Sequence, residues 1–294
     1  MDKTRTAKMQ RLYEVTNKLL NEMVKDKDID LNKYLKPQPC KTLNAVYEQA
    51  LSSLCNRQGM RNNIKFERNT EGSIQKRSTE LEENIQKRSI QIKEILFDFD
   101  PKMVKNKFVA QEGYDKDKGL NSLIETFNKK LGLKIESQKN RQWWEFGKGV
   151  ISASIFLSEF QDFYDFDVFI KGFQRNKYSS VALPMLLRKE ISGFGFALAS
   201  DFLKETGYDG YPKPDSHLMD VFKESGLCER NDYEVFKTII EVAEAVGKTP
   251  YEVDKRIWLV CTGNFYFDNL KDKKGKKDEL MQLVEKMRNE LKSV

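Results

Sequence analysis

The sequence has little from which to build a metal centre. Histidine occurs once in 294 residues, at His217, and the four cysteines, Cys40, Cys55, Cys228 and Cys261, are scattered without a C-x-x-C pair. Zinc and iron–sulfur sites need clustered thiolates or imidazoles, so neither is expected. Thiols without a disulfide framework fit a reducing cytosol. Long apolar runs are missing too: no window approaches the roughly 18 consecutive apolar residues of a membrane span. The opening MDKTRTAKMQ carries charges with no apolar stretch behind them. The expectation is a cytoplasmic protein, nucleoid-associated in a prokaryote, that neither enters a membrane nor is exported by a signal peptide. Nor is one sign of charge in large excess, since 51 Lys and Arg against 45 Asp and Glu leave +6. That balance permits a nucleic-acid partner without requiring one. With 39% hydrophobic and 33% charged residues, collagen-like, mucin-like and wholly disordered chains are excluded.

What is present is helical periodicity. Met9, Leu12, Tyr13, Leu19, Leu20, Met23 and Val24 recur at helical spacing over residues 5–24, and Leu43, Val46, Tyr47, Ala50, Leu51 and Leu54 do so after Thr42, a natural N-cap. Ile74-Gln75-Lys76-Arg77-Ser78 returns as Ile85-Gln86-Lys87-Arg88-Ser89, eleven residues on, which is about three helical turns. The seam of that helix is Ile74, Leu81, Ile85, Ile92 and Leu96, and its flanking Lys-Arg pairs offer either a basic edge or a solvated face. Leu120, Leu123, Ile124, Phe127 and Leu131 predict another helix. From Val150 to Phe173 a phenylalanine-rich stripe reads as helix, with Asp162, Asp165 and Asp167 on the other side. Three close carboxylates invite a metal-nuclease reading, but acids opposite an apolar face are usually solvated. The fold class expected is all-α, a two-lobed helical bundle. Its divisions are an N-terminal helical region at 1–100, a core at 101–270, and a basic loop with a C-terminal helix at 271–294.

The segment Ser180 to Val221 carries the chemistry. A helical run from Val181 to Ile191 is cut by Ser192-Gly193-Phe194-Gly195 and resumes at Ala197, Leu198, Ala199, Phe202 and Leu203. Two glycines one residue apart let the backbone turn and bring its N–H groups to an anion, toward which the second helix aims its positive end. Tyr211-Pro212-Lys213-Pro214 then leads into Asp215-Ser216-His217-Leu218, with Asp215 eighteen residues beyond Ala197.

Ile191-Ser192-Gly193-Phe194-Gly195 followed by Pro214-Asp215-Ser216-His217 resembles the helix-hairpin-helix superfamily of DNA glycosylases, the group of endonuclease III and the alkyladenine and 8-oxoguanine glycosylases. There the hairpin reads L-P-G-V-G and the loop ends in V-D-T-H or V-D-V-H, whose aspartate is catalytic. Ile257-Trp258-Leu259-Val260-Cys261-Thr262-Gly263-Asn264-Phe265-Tyr266 looks like the family's W-L-x-x-x-G helix. The motifs cover residues 183–221 and 251–267, and residues 1–130 show no match. Ser192 replaces the usual proline, Phe194 is bulkier than Val, and the iron–sulfur loop of some members is absent. Members that also cleave the backbone carry a lysine where this chain has Ala197. The resemblance therefore implies a monofunctional glycosylase, in which Asp215 stabilises an oxocarbenium-like sugar and orients or deprotonates water.

Further roles follow from the resemblance. Ser192, Gly193, Phe194, Gly195, Phe196 and Ala197 would grip duplex DNA, joined by Lys213, with Lys204 also neutralising phosphate; the alternative for Lys213, near Asp215 in sequence, is to stand in as the nucleophile. His217 would touch phosphate near the flipped nucleotide, or else make a hydrogen bond in a first helical turn. The carbonyls of Lys189, Ile191 and Phe194 would coordinate a structural Na+ or K+, and no other cofactor is required. Trp143 and Trp144 are candidates to stack on an extruded base, although adjacent tryptophans cannot both face one side of a helix. Lys271, Lys273, Lys274, Lys276 and Lys277 form either a DNA-backbone contact or a solvated loop. The protein is expected to act as a monomer. The competing reading of Asp215 is a plain N-cap, which would make the chain a non-catalytic DNA-binding module. A third reading makes it a helical scaffold that uses residues 73–96 for protein contacts.

Overall fold

The computed structural model describes residues 3–56, 60, 63–64, 80–109, 116–136, 139–268, 270–271 and 275–290. In chain order the helices are α1 (Lys3–Val24), α2 (Asn32–Leu35), α3 (Leu43–Cys55), α4 (Glu80–Ile95) and α5 (Pro101–Phe108). There follow α6 (Lys116–Leu131), α7 (Arg141–Ser158), α8 (Phe163–Phe173), α9 (Lys177–Glu190) and α10 (Phe196–Thr206). The last four are α11 (Ser216–Glu224), α12 (Asp232–Val246), α13 (Pro250–Thr262) and α14 (Lys277–Glu290). The only sheet among the described residues pairs β1 (Asn264–Phe265) with β2 (Leu270–Lys271), so the all-α expectation holds. No helix among them is long and apolar enough to cross a membrane. The first copy of the eleven-residue repeat, together with Lys273 and Lys274, lies outside the described residues.

The chain divides into two compact units, and the division departs from the one expected. Met1–Pro39, Gln174–Ala182 and Leu203–Val294 form the first, and Cys40–Phe173 with Leu183–Phe202 form the second. The reason lies in α1. Its apolar face, Met9, Leu12, Val15, Leu19, Leu20 and Met23, is buried against α12, α13 and α14, so residues 1–39 belong with the C-terminal helices and not with a separate 1–100 region. That core also takes Leu218, Phe222, Ile239, Ile257, Leu280 and Val284.

Local signals set the helix ends in this unit. Asn231 caps α12 by accepting from Glu234 N–H, and Thr249 caps α13 by accepting from Glu252 N–H, with Pro250 at the first helical position. The run expected to stay helical to Tyr266 stops at Thr262, where Gly263 adopts a left-handed φ of 62° and its amide closes on Leu259 O at 2.8 Å.

In the second unit Thr42 caps α3 as expected, accepting from Ala45 N–H at 3.1 Å. α7 packs on α3, α5 and α6, and the buried Tyr47 hydroxyl donates to Val150 O at 2.7 Å. The phenylalanine stripe is two helices and not one. α7 ends at Ser158, and Asp162 starts α8 by accepting the Asp165 amide at 3.0 Å while Asp165 accepts Gln161 N–H. Asp167 pairs with Lys171, so the three carboxylates cap and brace a helix; no His, Cys, Asp and Glu cluster able to hold a metal occurs among the described residues.

Two predictions follow from burial. Leu12→Ala is expected to cost about 2–5 kcal/mol in a urea unfolding titration, since Leu12 is wholly buried at the centre of the α1 face. The second concerns alkali. Burial pushes the Cys261 thiol from 9.0 up to about 12, and raises the phenols of Tyr211 and Tyr251 above 10.0 and Tyr47 further still. Each raised group favours its neutral form in the folded state. Its contribution is complete below its ordinary value and is lost as pH climbs toward the raised one. Melting temperature should therefore hold steady up to about pH 9 and fall beyond it, in differential scanning calorimetry across a pH series.

Candidate functional site

Between α9 and α10 the chain turns through five residues, Ile191 to Gly195. Phe194 N–H closes the turn on Ile191 O at 3.2 Å, and Gly193 takes φ 91°, a value that a side chain would resist. Ile191, Phe194 and Phe196 point into the core, Ser192 and Gly193 are half-buried, and Gly195 is exposed with open space where a Cβ would stand. The larger Phe194 is accommodated by its tilted contact with Phe202, ring centroids 5.7 Å apart. Apolar side chains thus hold the turn from inside and leave glycine backbone on the outside. Arg188 and Lys189 are exposed just ahead of it. At the start of α10, first-turn amides such as those of Ala197 and Leu198 have no carbonyl one turn back within the helix, which makes this end attractive to anions.

The turn is pinned to α7. Ser192 N–H donates to Ser152 Oγ at 2.8 Å, and the Ser152 hydroxyl in turn donates to Lys148 O at 2.8 Å. Gly149 makes this approach possible, because a Cβ there would stand 2.5 Å from Leu54 Cδ1 and 3.0 Å from Ser192 O. Of the three carbonyls expected to hold a cation, Ile191 O already accepts the Phe194 amide, which leaves it one lone pair.

Asp215 lies in the first unit, as do Lys213 and His217, whereas the turn belongs to the second. It is the N-cap of α11, with Oδ1 accepting His217 N–H at 2.9 Å and Leu218 N–H at 3.1 Å. Among the described residues Oδ2 accepts no hydrogen bond, and the residue is half-exposed. His217 Nδ1 is buried with no hydrogen-bond partner among the described residues, so any contact of the ring with phosphate falls to Nε2.

Several expected roles are corrected. Trp143 is buried, with its ring against Phe127 and Phe146 at 5.9 and 6.3 Å, and is core, not a stacking surface; Trp144 is half-buried. Lys204 is withdrawn from any phosphate, since it is buried and its Nζ lies 2.8 Å from Asp254 Oδ2. Lys276 pairs with Glu22 and Glu279, and Lys277, the first residue of α14, pairs with Asp220; both lysines are half-buried. Lys213 is half-buried, and its amide donates to Asp254 Oδ2 at 2.6 Å.

Asp254 escaped the reading by motif. Burial pushes its carboxyl above the ordinary value against the pull of Lys204. The signal was its place on α13, where Tyr251, Ile257 and Cys261, three before and three and seven after, are buried apolar or aromatic residues. A charge on a core-facing stripe has to have a partner.

Ser152→Ala is expected to cost about 1 kcal/mol and to raise hydrogen exchange at the Ser192 amide; unchanged protection there would show that another contact holds the turn. No protein-family model matches the chain, and no solved structure matches it.

Proposed function

We propose that this chain is a monofunctional DNA glycosylase of the helix-hairpin-helix type. The observation that carries the reading is the division of labour within one carboxylate: Asp215 Oδ1 is held by two helix amides, and Oδ2 is left for another partner. A cap fixes the carboxylate in place, and an unengaged oxygen allows it to act on water or on a cationic sugar. The exposed glycine turn and the first-turn amides of α10 suit a DNA phosphate, with Arg188 and Lys189 close by in sequence.

In this reading a damaged or modified nucleotide is flipped from the duplex. The N-glycosidic bond breaks, its electron pair leaves with the base nitrogen, and positive charge develops on the sugar. Asp215 stabilises that charge and takes a proton from the water whose oxygen bonds to the anomeric carbon. That proton passes on through solvent to the departing base nitrogen, which restores the Asp215 carboxylate, and the products are a free base and an abasic site. Ala197 supplies no amine, so no covalent imine forms with the sugar and the strand stays intact until alkali cleaves it. Water is the only co-reactant, and no step needs a cation at the turn.

The cap bonds also favour a second reading, a DNA-binding module in which Asp215 only starts α11. Asp215→Asn separates the two, because asparagine caps as well as aspartate but carries no charge. The assay uses duplex oligonucleotides bearing alkylated, oxidised, deaminated and bulky-modified bases, scored for breaks after hot alkali. The variant is expected to lose on the order of 10²–10⁴-fold in excision rate with DNA binding retained. Salt-sensitive binding of wild type with no excision on any substrate would leave the module reading standing.

A further inference from the structure

The segment that delivers Asp215 to the start of α11 has few backbone amides by which to be held. Pro212 and Pro214 have no N–H, so between Tyr211 and Asp215 the backbone has three amides to place. Tyr211 N–H turns back to Tyr208 O at 3.3 Å, and Asp215 N–H bonds locally to Lys213 O at 2.8 Å. Among the described residues only the Lys213 amide of these three reaches another element, and it ends on Asp254 Oδ2 of α13 at 2.6 Å. One helical turn earlier on α13, the Tyr251 amide donates to Asp209 O at 2.8 Å, holding the start of the same loop.

Asp254 is poorly explained as a stabilising ion pair. It is 1% exposed, its Oδ1 is buried without a hydrogen-bond partner among the described residues, and its Oδ2 is shared between Lys204 Nζ and the Lys213 amide. A buried pair with an unsatisfied oxygen is commonly matched or bettered by packed apolar side chains. Its distinguishing contact is the backbone of this loop.

We propose that Asp254, oriented by Lys204, is a positioning residue for Asp215, fixing its backbone through the Lys213 amide that lies between two prolines. The proposal rests on the glycosylase reading. Lys204 orients Asp254, Asp254 holds Lys213, and the Lys213 carbonyl receives the Asp215 amide, so the carboxylate is set from upstream as well as by its own cap.

Two double variants test it. Lys204→Gln with Asp254→Asn removes both charges and keeps an oxygen for the Lys213 amide. Lys204→Met with Asp254→Leu removes the charges and the acceptor, replacing the pair by packing. Lys213→Pro, as a third variant, deletes the donor and leaves the buried pair untouched. Single-turnover excision at saturating DNA is measured alongside thermal unfolding and hydrogen exchange. The Met/Leu variant and Lys213→Pro are expected to lose about 10–100-fold in kcat, with KM unchanged in the former, while the Gln/Asn variant stays close to wild type. In the Met/Leu variant the His217 and Leu218 amides should also exchange faster. Equal loss in both double variants would overturn the proposal, because the charges and not the tether would then matter. Wild-type kcat in all three would overturn it and leave the glycosylase reading intact. A wild-type protein that excises no base would overturn that reading and the catalytic role of the tether together, and the exchange rates would then show whether the tether holds the carboxylate at all.

Discussion

A backbone amide that leaves a helix and is withdrawn from water has to find a new acceptor, and this requirement governs both segments on which the proposed function rests. At the turn after α9 the acceptor is Ser152 Oγ, and at the loop before α11 it is Asp254 Oδ2. In each case one side chain from a well-packed helix takes a single amide of an irregular stretch. Loops position chemistry only when a rigid scaffold fixes them. Here α7 and α13 are the scaffolds, each packed on several neighbouring helices.

These two anchors are not equal in kind. Ser152 is neutral, and its hydroxyl passes the bond on to Lys148 O, so losing it strands one amide. Asp254 brings a charge into the core and requires Lys204 to follow, so losing either partner leaves a buried ion alone, which is far more damaging than losing both. The first anchor tolerates substitution one residue at a time, and the second only as a pair.

The local rules were legible in the sequence. The face of α1, the cap at Thr42, the helix, glycine turn and helix over residues 177–206, and the cap position of Asp215 all follow from spacing and residue type within a few positions. What escaped depended on partners far along the chain. Nothing near Trp143 shows that Phe127 will meet its ring, and nothing near Lys204 shows that Asp254 lies beside it fifty residues on. Likewise the assignment of α1 to the C-terminal helices follows from complementary apolar faces more than 200 residues apart, which periodicity reveals singly but does not pair. The break between α7 and α8 was missed for the opposite reason: phenylalanines on both sides of Glu159–Asp162 continue the apolar stripe and mask a capping aspartate.

Ion pairing also changes what the net charge of +6 means for a polyanionic partner. Lys204 and Lys255 are buried beside Asp254 and Glu205, Lys177 and Arg5 share Glu241, and Lys276 and Lys277 are joined to Glu22, Glu279 and Asp220. Much of the cationic charge in the first unit is thus already matched by carboxylates, and a phosphate would have to compete for it. A binding mode that relies on lysine side chains there would be weak. A glycine turn that offers backbone amides needs no unmatched cation, and an amide contact releases no counterion of its own. Under the proposed function, the turn between α9 and α10 is therefore a better anion ligand than the paired lysines of the first unit.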